Sequence, residues 1–387
     1  MPIPSRLAAL TQPMLEWRHH LHACPELRYE ETETSDFVAS RLADSRIAVT
    51  RGLAGTGVVG TLRCGTSPHA VGLRADMDAL PIEERNTFDY KSRHRGRMHA
   101  CGHDGHTAML LGAAAYLAGT RGFDGTVQFI FQPAEEAAKG AERMLEDGLF
   151  ERFPVDSVYG MHNVPMLEAN HFGIRPGPMM ASTDYFEITV TGKGGHAGMP
   201  HLGHDPFVAV AQVLAALQTV PSRRIAATEA LVISVTKISG GTAFNVIPDA
   251  VLIAGTIRAL DATVRSRAVQ ALDAIAAGIG SATETRIDVK HIEGDPAVVN
   301  HPEQTERAAA AAATVVGADA VDRGIKPTMG GEDFSYMLQQ RPGAYIWIGG
   351  GRDRAPLHSA TYDFNDTILA TGAAYWASLV EQELARG

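Results

Sequence analysis

A chain of 387 residues is longer than one hydrophobic core usually serves, so two domains are expected. With 45% hydrophobic and 20% charged residues it reads as an ordinary folded protein, and a formal net charge of -10 argues against a nucleic-acid partner, because no basic stripe is available to neutralise phosphates. No basic start with an unbroken apolar run opens the sequence, and no segment reaches the roughly 20 apolar residues of a membrane span, so the expectation is a cytoplasmic protein with a small-molecule substrate and no membrane partner.

Up to about residue 180, short apolar strands alternate with helical runs, an α/β pattern. The first readable strand is AVGLRAD, 70–76, with Asp78 two residues beyond its end. Next come the stretch MHACGHDGHTAML, 98–110, running into a helix at 105–119, then the strand 126–132, a helix at 140–150 and the strand 157–163. Near-continuous apolar strands of this kind belong to a mostly parallel sheet covered on both faces, and such sheets bind ligands at their carboxyl ends. Asp76, Asp78, Glu135, Glu136 and His162 all lie at or just beyond those ends.

From about 184 the rhythm changes. A strand at 185–192, a helix at 205–220, strands at 230–238 and 250–260, a helix at 261–279 and a strand at 286–292 give the ferredoxin-like order βαββαβ. Helices at 303–317, 332–340 and 364–384, with the strand 343–350 between them, then return to the α/β style, Glu332 and Asp333 reading as helix caps. The simplest organisation is a discontinuous domain, 1–180 with 293–387, interrupted by a small domain at 181–292.

The stretch 98–110 gathers His99, Cys101, His103, Asp104 and His106. A helix entrance capped by Asp104 explains one of them, whereas imidazoles and a thiol are the usual ligands of a borderline-soft divalent metal. Of the three cysteines, Cys24 and Cys64 read as inert in a reducing compartment, and only Cys101 has such neighbours. Glu135 and Glu136 follow a strand, where adjacent side chains point to opposite sides, so one carboxylate can bind metal while the other faces a water; the plainer reading is a solvated acidic pair at a helix start. Cys101, His103, Glu136, His162 and His358 together make a five-residue cage for two close metals, with Glu135 as base. A thiol amidase using Cys101 with His103 or His106 is the competing chemistry. In the small domain His196 and Asn245 sit in glycine-rich turns, and Arg258, near a strand end, could hold a carboxylate or be a surface residue with a packed stem.

In this order, GLRADMDALPIEE, MHACGHDGHTAMLLGAA, FQPAEEAAKGAERML, YGMHNVP, GGHAGMPH, NVIPD and GGEDFSYML resemble the M20 metallopeptidase superfamily, and within it the branch of hippurate hydrolases, N-acyl-L-amino acid amidohydrolases and auxin-conjugate hydrolases. The resemblance implies two divalent metal ions, of manganese, zinc, cobalt or nickel, held by Cys101, His103, Glu136, His162 and His358, with Glu135 as general base. It also implies substrate contacts from His196, Asn245 and Arg258 in a lid domain through which a homodimer forms. Asp78 joins the catalytic group, either directly or by orienting a ligand. The expected reaction is hydrolysis of an N-acyl amino acid; a dipeptidase or carboxypeptidase with the same metals, and a metal-binding protein without catalysis, are the alternatives.

Overall fold

Four strands whose residues are almost all buried form the parallel centre of an eight-stranded sheet: Gly125–Gln132, Ala70–Asp76, Ser157–Val164 and Gly343–Gly349, adjacent in that order. An antiparallel pair, Ala48–Leu53 and Gly57–Cys64, extends one edge, and the short strands Phe172–Gly173 and Val321–Asp322 close the other. The computed structural model describes residues 4–386, apart from the side chain of Ala137. Contacts divide the chain into two compact units, one of Met1–Gly177, Val299–Lys326 and Asp333–Gly387, the other of Pro178–Val298 and Pro327–Glu332.

In the first unit, the helix His103–Thr120 is apolar on nearly every side and packs against the helices Thr11–Ala23 and Leu369–Glu383. A helix hydrophobic all round has to be enclosed, and this one starts where the parallel strands end. The run 140–150, expected as one helix, is two, Gly140–Glu146 and Leu149–Arg152, because Gly148 takes a left-handed backbone (φ 85°) that ends the first and opens the second. The helices Thr11–Ala23 and Thr32–Asp44 and the first two strands have no counterpart in the sequence reading.

The second unit has a four-stranded antiparallel sheet in the order Leu231–Ser239, Ala250–Ala259, Ser182–Thr191, Arg286–Glu293. Burial alternates along Ala250–Ala259, and the helices Pro206–Thr219 and Ala262–Thr283 cover the buried face. Both helices have aspartate caps: Asp205 accepts from the Phe207 N–H, and Asp261 from those of Thr263 and Val264. The observed order is βαββαβ, with a small ribbon, Gly195–His196 against Val246–Ile247, projecting from it.

Candidate active site

The carboxyl edge of the parallel strands delivers most of the side chains that the sequence singled out. Glu135 and Glu136 open the short helix Glu135–Ala138 just beyond the strand Gly125–Gln132. Asp78, buried two residues past Asp76, accepts the Glu135 N–H on Oδ1 (3.1 Å) and the Glu136 N–H on Oδ2 (2.9 Å). Both of its oxygens therefore hold the backbone under the two carboxylates, which makes Asp78 a positioning residue.

Cys101 and His103 flank Gly102, whose backbone is left-handed (φ 98°); a Cβ at this position would run into Asn163 Oδ1 and the Tyr362 hydroxyl, so only glycine fits. The His103 Nδ1–H donates to the Asp78 carbonyl (2.8 Å), which leaves Nε2 buried and without a hydrogen-bond partner. His162 likewise donates from Nδ1 to the Asn163 carbonyl (2.6 Å) and presents Nε2 at 3.4 Å from Cys101 Sγ. A ring nitrogen facing a carbonyl must carry the proton, so both rings turn Nε2 inward. His162 is neutral there; burial opposes a charge on His103 too, but Asp76 and Cys101 hold it well above the ordinary histidine value, so a cation binding its Nε2 displaces a proton. His358 arrives from the loop after Gly343–Gly349, its N–H on the Ala100 carbonyl (2.7 Å) and its Nε2 3.3 Å from Glu136 Oε1.

Ligating atoms of Cys101, Glu136 and His358 lie within 4.8 Å of one another, and so do those of His103, Glu135 and Glu136. The structure thus brings all five expected ligands and the expected base into one cluster, Glu136 common to both sets and Cys101 touching His162. Sulfur, nitrogen and oxygen donors in this arrangement suit borderline divalent cations, and the orphaned His103 Nε2 is the kind of buried atom that a cation satisfies. Burial, with Glu136 beside it, pushes the Cys101 thiol up, so the chain alone does not make a thiolate there; a bound cation would. That disfavours a thiol nucleophile. Hydrogen bonds to Cys101 and Glu136 hold His358 up at about 10, a site where proton and metal compete. Burial, helped by His106, keeps His162 well below the ordinary histidine value and therefore neutral.

Two residues not counted as site members from sequence form the floor of the cluster. Asp76 receives His106 Nδ1 on one oxygen (2.6 Å) and Arg74 Nη1 on the other (2.8 Å), and His106 Nε2 accepts the Asn163 N–H (3.0 Å). Although Asp76 and His106 lie within ligating range of His103 and His162, their polar atoms are committed to this network. Arg74 continues it to Gln132 (2.8 Å) and Asp333 (3.2 Å). Asp333 is therefore a buried ion-pair partner, while the helix it was expected to cap, Ser335–Gln340, has Phe334 at its cap and no side-chain cap bond. Asp104 is no cap either: inside the first turn of its helix, it binds His22 Nδ1 (2.8 Å) and faces Arg18 (3.6 Å). His99 is buried, and burial drives its pKa down to about 4, so it stays neutral.

The other expected residues belong to the second unit. His196 pairs with Val246, beside Asn245, whose carbonyl accepts the Ala197 N–H (3.0 Å). Arg258 sends Nη1 to the carbonyls of Asp184 (3.3 Å) and Ile257 (3.1 Å), lies over the Tyr185 ring (5.6 Å to its centroid) and makes no ion pair among the described residues.

The sequence pattern of Peptidase family M20/M25/M40 matches residues 72–382. The chain belongs to the M20 family. Among its relatives, a hippurate hydrolase of Campylobacter jejuni is 40% identical over 94% of this chain and 94% of its own length. An N-acetyl-L-cysteine deacetylase of Bacillus subtilis is 39% identical over 95% of this chain and 87% of its own length. A solved Bacillus subtilis structure, described as a dinuclear metal binding peptidase from the M20 family, is 32% identical and superposes with a TM-score of 0.86 over 97% of this chain and 99% of that one.

Proposed function

We propose that this M20 protein is a metal-dependent amidohydrolase that cleaves the amide of N-acyl-L-amino acids, hippurate-like substrates included, to a carboxylic acid and a free amino acid. The observation that carries the reading is the pair Glu135 and Glu136, fixed by one aspartate on one turn, with Glu136 among the sulfur and nitrogen donors. Relatives that hydrolyse hippurate and N-acetylcysteine give the substrate class. Cys101, His103, Glu136, His162 and His358 hold two divalent ions, of manganese, zinc, cobalt or nickel. Bound there, the ions lower the pKa of water and polarise a carbonyl.

Glu135 takes the proton of the attacking water and delivers it to the amine nitrogen as the C–N bond breaks. Arg258 holds the substrate carboxylate, its Nη1 already fixed to backbone carbonyls and its remaining N–H groups available for a two-pronged bond. Asn245 contacts substrate beside His196. His196 accepts the Gly198 N–H on Nδ1 (3.0 Å), so the neutral ring carries its proton on Nε2 and can donate to an oxyanion. The second unit pairs with its twin in a homodimer, and His196 serves the partner's metals; exposed Met199, Leu202, Phe244 and Val246 around the ribbon supply an apolar surface for the pairing. No helix among the described residues is long and apolar enough to cross a membrane. The compartment proposed for the enzyme is the cytoplasm.

Prolonged chelation is expected to abolish hydrolysis of N-acyl amino acids, and manganese, zinc or cobalt to restore it. A turnover panel crossing acyl groups with amino acids, and including dipeptides, separates this reading from a peptidase. Full activity in rigorously metal-free protein would sink it.

A further inference from the structure

Glu135 and Glu136 stand on strained backbone. Ala134 before them (φ 55°) and Lys139 after the turn (φ 58°) are both non-glycine residues in the left-handed region, where a Cβ is unfavourable. Such a turn persists only where its surroundings over-determine it. Here the surroundings come largely from ELRYEE, residues 26–31, which no sequence motif marked. Arg28 Nη1 donates to the Glu136 carbonyl (3.1 Å), the Tyr29 hydroxyl donates to the Ala138 carbonyl (2.7 Å), and Glu31 Oε1 accepts the Ala134 N–H (2.9 Å). Glu31 is buried, and its other oxygen takes the Thr56 hydroxyl (2.6 Å). Tyr29 is itself left-handed (φ 62°), a third strained residue in the same assembly.

The segment is also joined to the aspartate on the other side of the turn. Leu27 forms a parallel bridge with Ala79, whose N–H donates to the Glu26 carbonyl (2.8 Å), and Ala79 follows Asp78. With the two bonds from Asp78, five hydrogen bonds from one connected scaffold converge on residues 134–138. Each end of the turn is held, and by a different atom type: carboxylates take the N–H groups at its start, cationic and hydroxyl donors take the carbonyls at its end.

We propose that segment 26–31 is the positioning element of the catalytic turn. Arg28, Tyr29 and Glu31 fix the backbone of Glu135 and Glu136 before any substrate arrives, so that the base and the ligand, at adjacent positions, keep their separate places in the one cluster. The proposal rests on the roles given above to Glu135 and Glu136. A backbone carbonyl released at Ala138 or Glu136 lets the strained turn relax toward ordinary helix, and small misplacements of a base cost rate rather than binding.

Tyr29 is half-exposed, so Tyr29→Phe removes one hydroxyl from an otherwise tolerant site, and Arg28→Met with Tyr29→Phe removes both carbonyl contacts. The test measures amide hydrogen exchange over 134–140 in the metal-free full chain, and kcat, KM and Tm in the metal-loaded enzyme. The double variant is expected to exchange about tenfold faster in that segment, by local opening. Its kcat should fall about tenfold with KM and Tm nearly unchanged, the pattern of a lost transition-state geometry. Tyr29→Gly, which accepts the left-handed backbone freely, should lower kcat as Tyr29→Phe does without lowering Tm. Unchanged exchange, faster exchange with unchanged kcat, or a parallel fall of Tm and kcat would each overturn the proposal. If the wild-type protein hydrolyses no N-acyl amino acid, the functional reading fails, and the exchange arm still decides whether the segment clamps the turn.

Discussion

Glu135 and Glu136 are chemically identical neighbours, and the different work proposed for them rests on what holds their backbone. Asp78 receives the two N–H groups on separate oxygens, and the turn then sends Glu136 toward Cys101 and His358. Glu135→Gln is therefore expected to leave the metal content near normal and slow turnover by about a hundredfold or more, the scale of general-base catalysis. Metal analysis beside kinetics checks it, and loss of metal from Glu135→Gln would mean that the two roles are reversed. At this scale the ligand types were legible because sulfur, imidazole and carboxylate groups crowd a few motifs. Asp76 and His106 were visible in those motifs, yet their mutual hydrogen bond depends on how a helix start docks on a strand end, which spacing alone does not encode. Arg28 and Tyr29 carried no signal, since what they bind is backbone carbonyl, and any residue type supplies that.

Among the elements, the helix Thr11–Ala23 shows why a strongly structural segment escaped the sequence reading. Its buried positions include Arg18 and His22 beside Met14 and Leu21, so the apolar periodicity that marks a core helix is interrupted by charge. The charges are matched: Arg18 pairs with Asp366 (2.8 Å) and Asp363 (3.0 Å), and His22 lies between Asp104 (2.8 Å) and Glu84 (3.1 Å). By contrast, the central strands are mostly apolar and almost wholly buried, many of their polar residues gathered toward the carboxyl ends, and the strand at 70–76 was legible to the residue. Burial opposes a charge on His22, but hydrogen bonds to Asp104 and Glu84 outweigh it and raise its pKa from 6.5 to about 9. A pKa raised by folding stabilises fully below the unfolded value and is lost as pH rises through the folded one. The metal-free protein is thus expected to lose up to about 3 kcal/mol of stability between pH 6.5 and 9 from this residue. Urea unfolding of wild type and His22→Gln across that range tests it; parallel curves would refute the assignment.

For the whole molecule, the trans role proposed for His196 makes a prediction that no single active site can mimic. Subunit exchange between His196→Ala and Glu135→Ala, each inactive, creates mixed dimers in which one site has both residues intact. Random exchange makes about half of the dimers mixed, each with one good site, so roughly a quarter of wild-type activity should return. Mixed dimers that form and stay inactive would defeat the trans assignment. His196→Ala alone should cost about 3 kcal/mol of transition-state stabilisation, as for other oxyanion donors. A second unit was legible because a βαββαβ run interrupts an α/β rhythm, but the limits expected for it, 181–292, fall inside Pro178–Val298 and leave out Pro327–Glu332, which carries no such rhythm. A pairing of subunits leaves no trace of this kind in one chain. The sheet of the second unit has one more consequence. Its first and last strands pair, Asp184 opposite Glu293, and the Thr183 N–H donates to the Asp295 carbonyl (2.9 Å), so the chain leaves the unit beside the point where it entered. The unit is thus a cassette with adjoining ends, separated by about 5 Å as in any antiparallel pair. Replacing 182–294 with a short glycine-serine linker is expected to give a protein that still takes up its metals but no longer hydrolyses amides, chelation and specificity having been written into separable lengths of the gene.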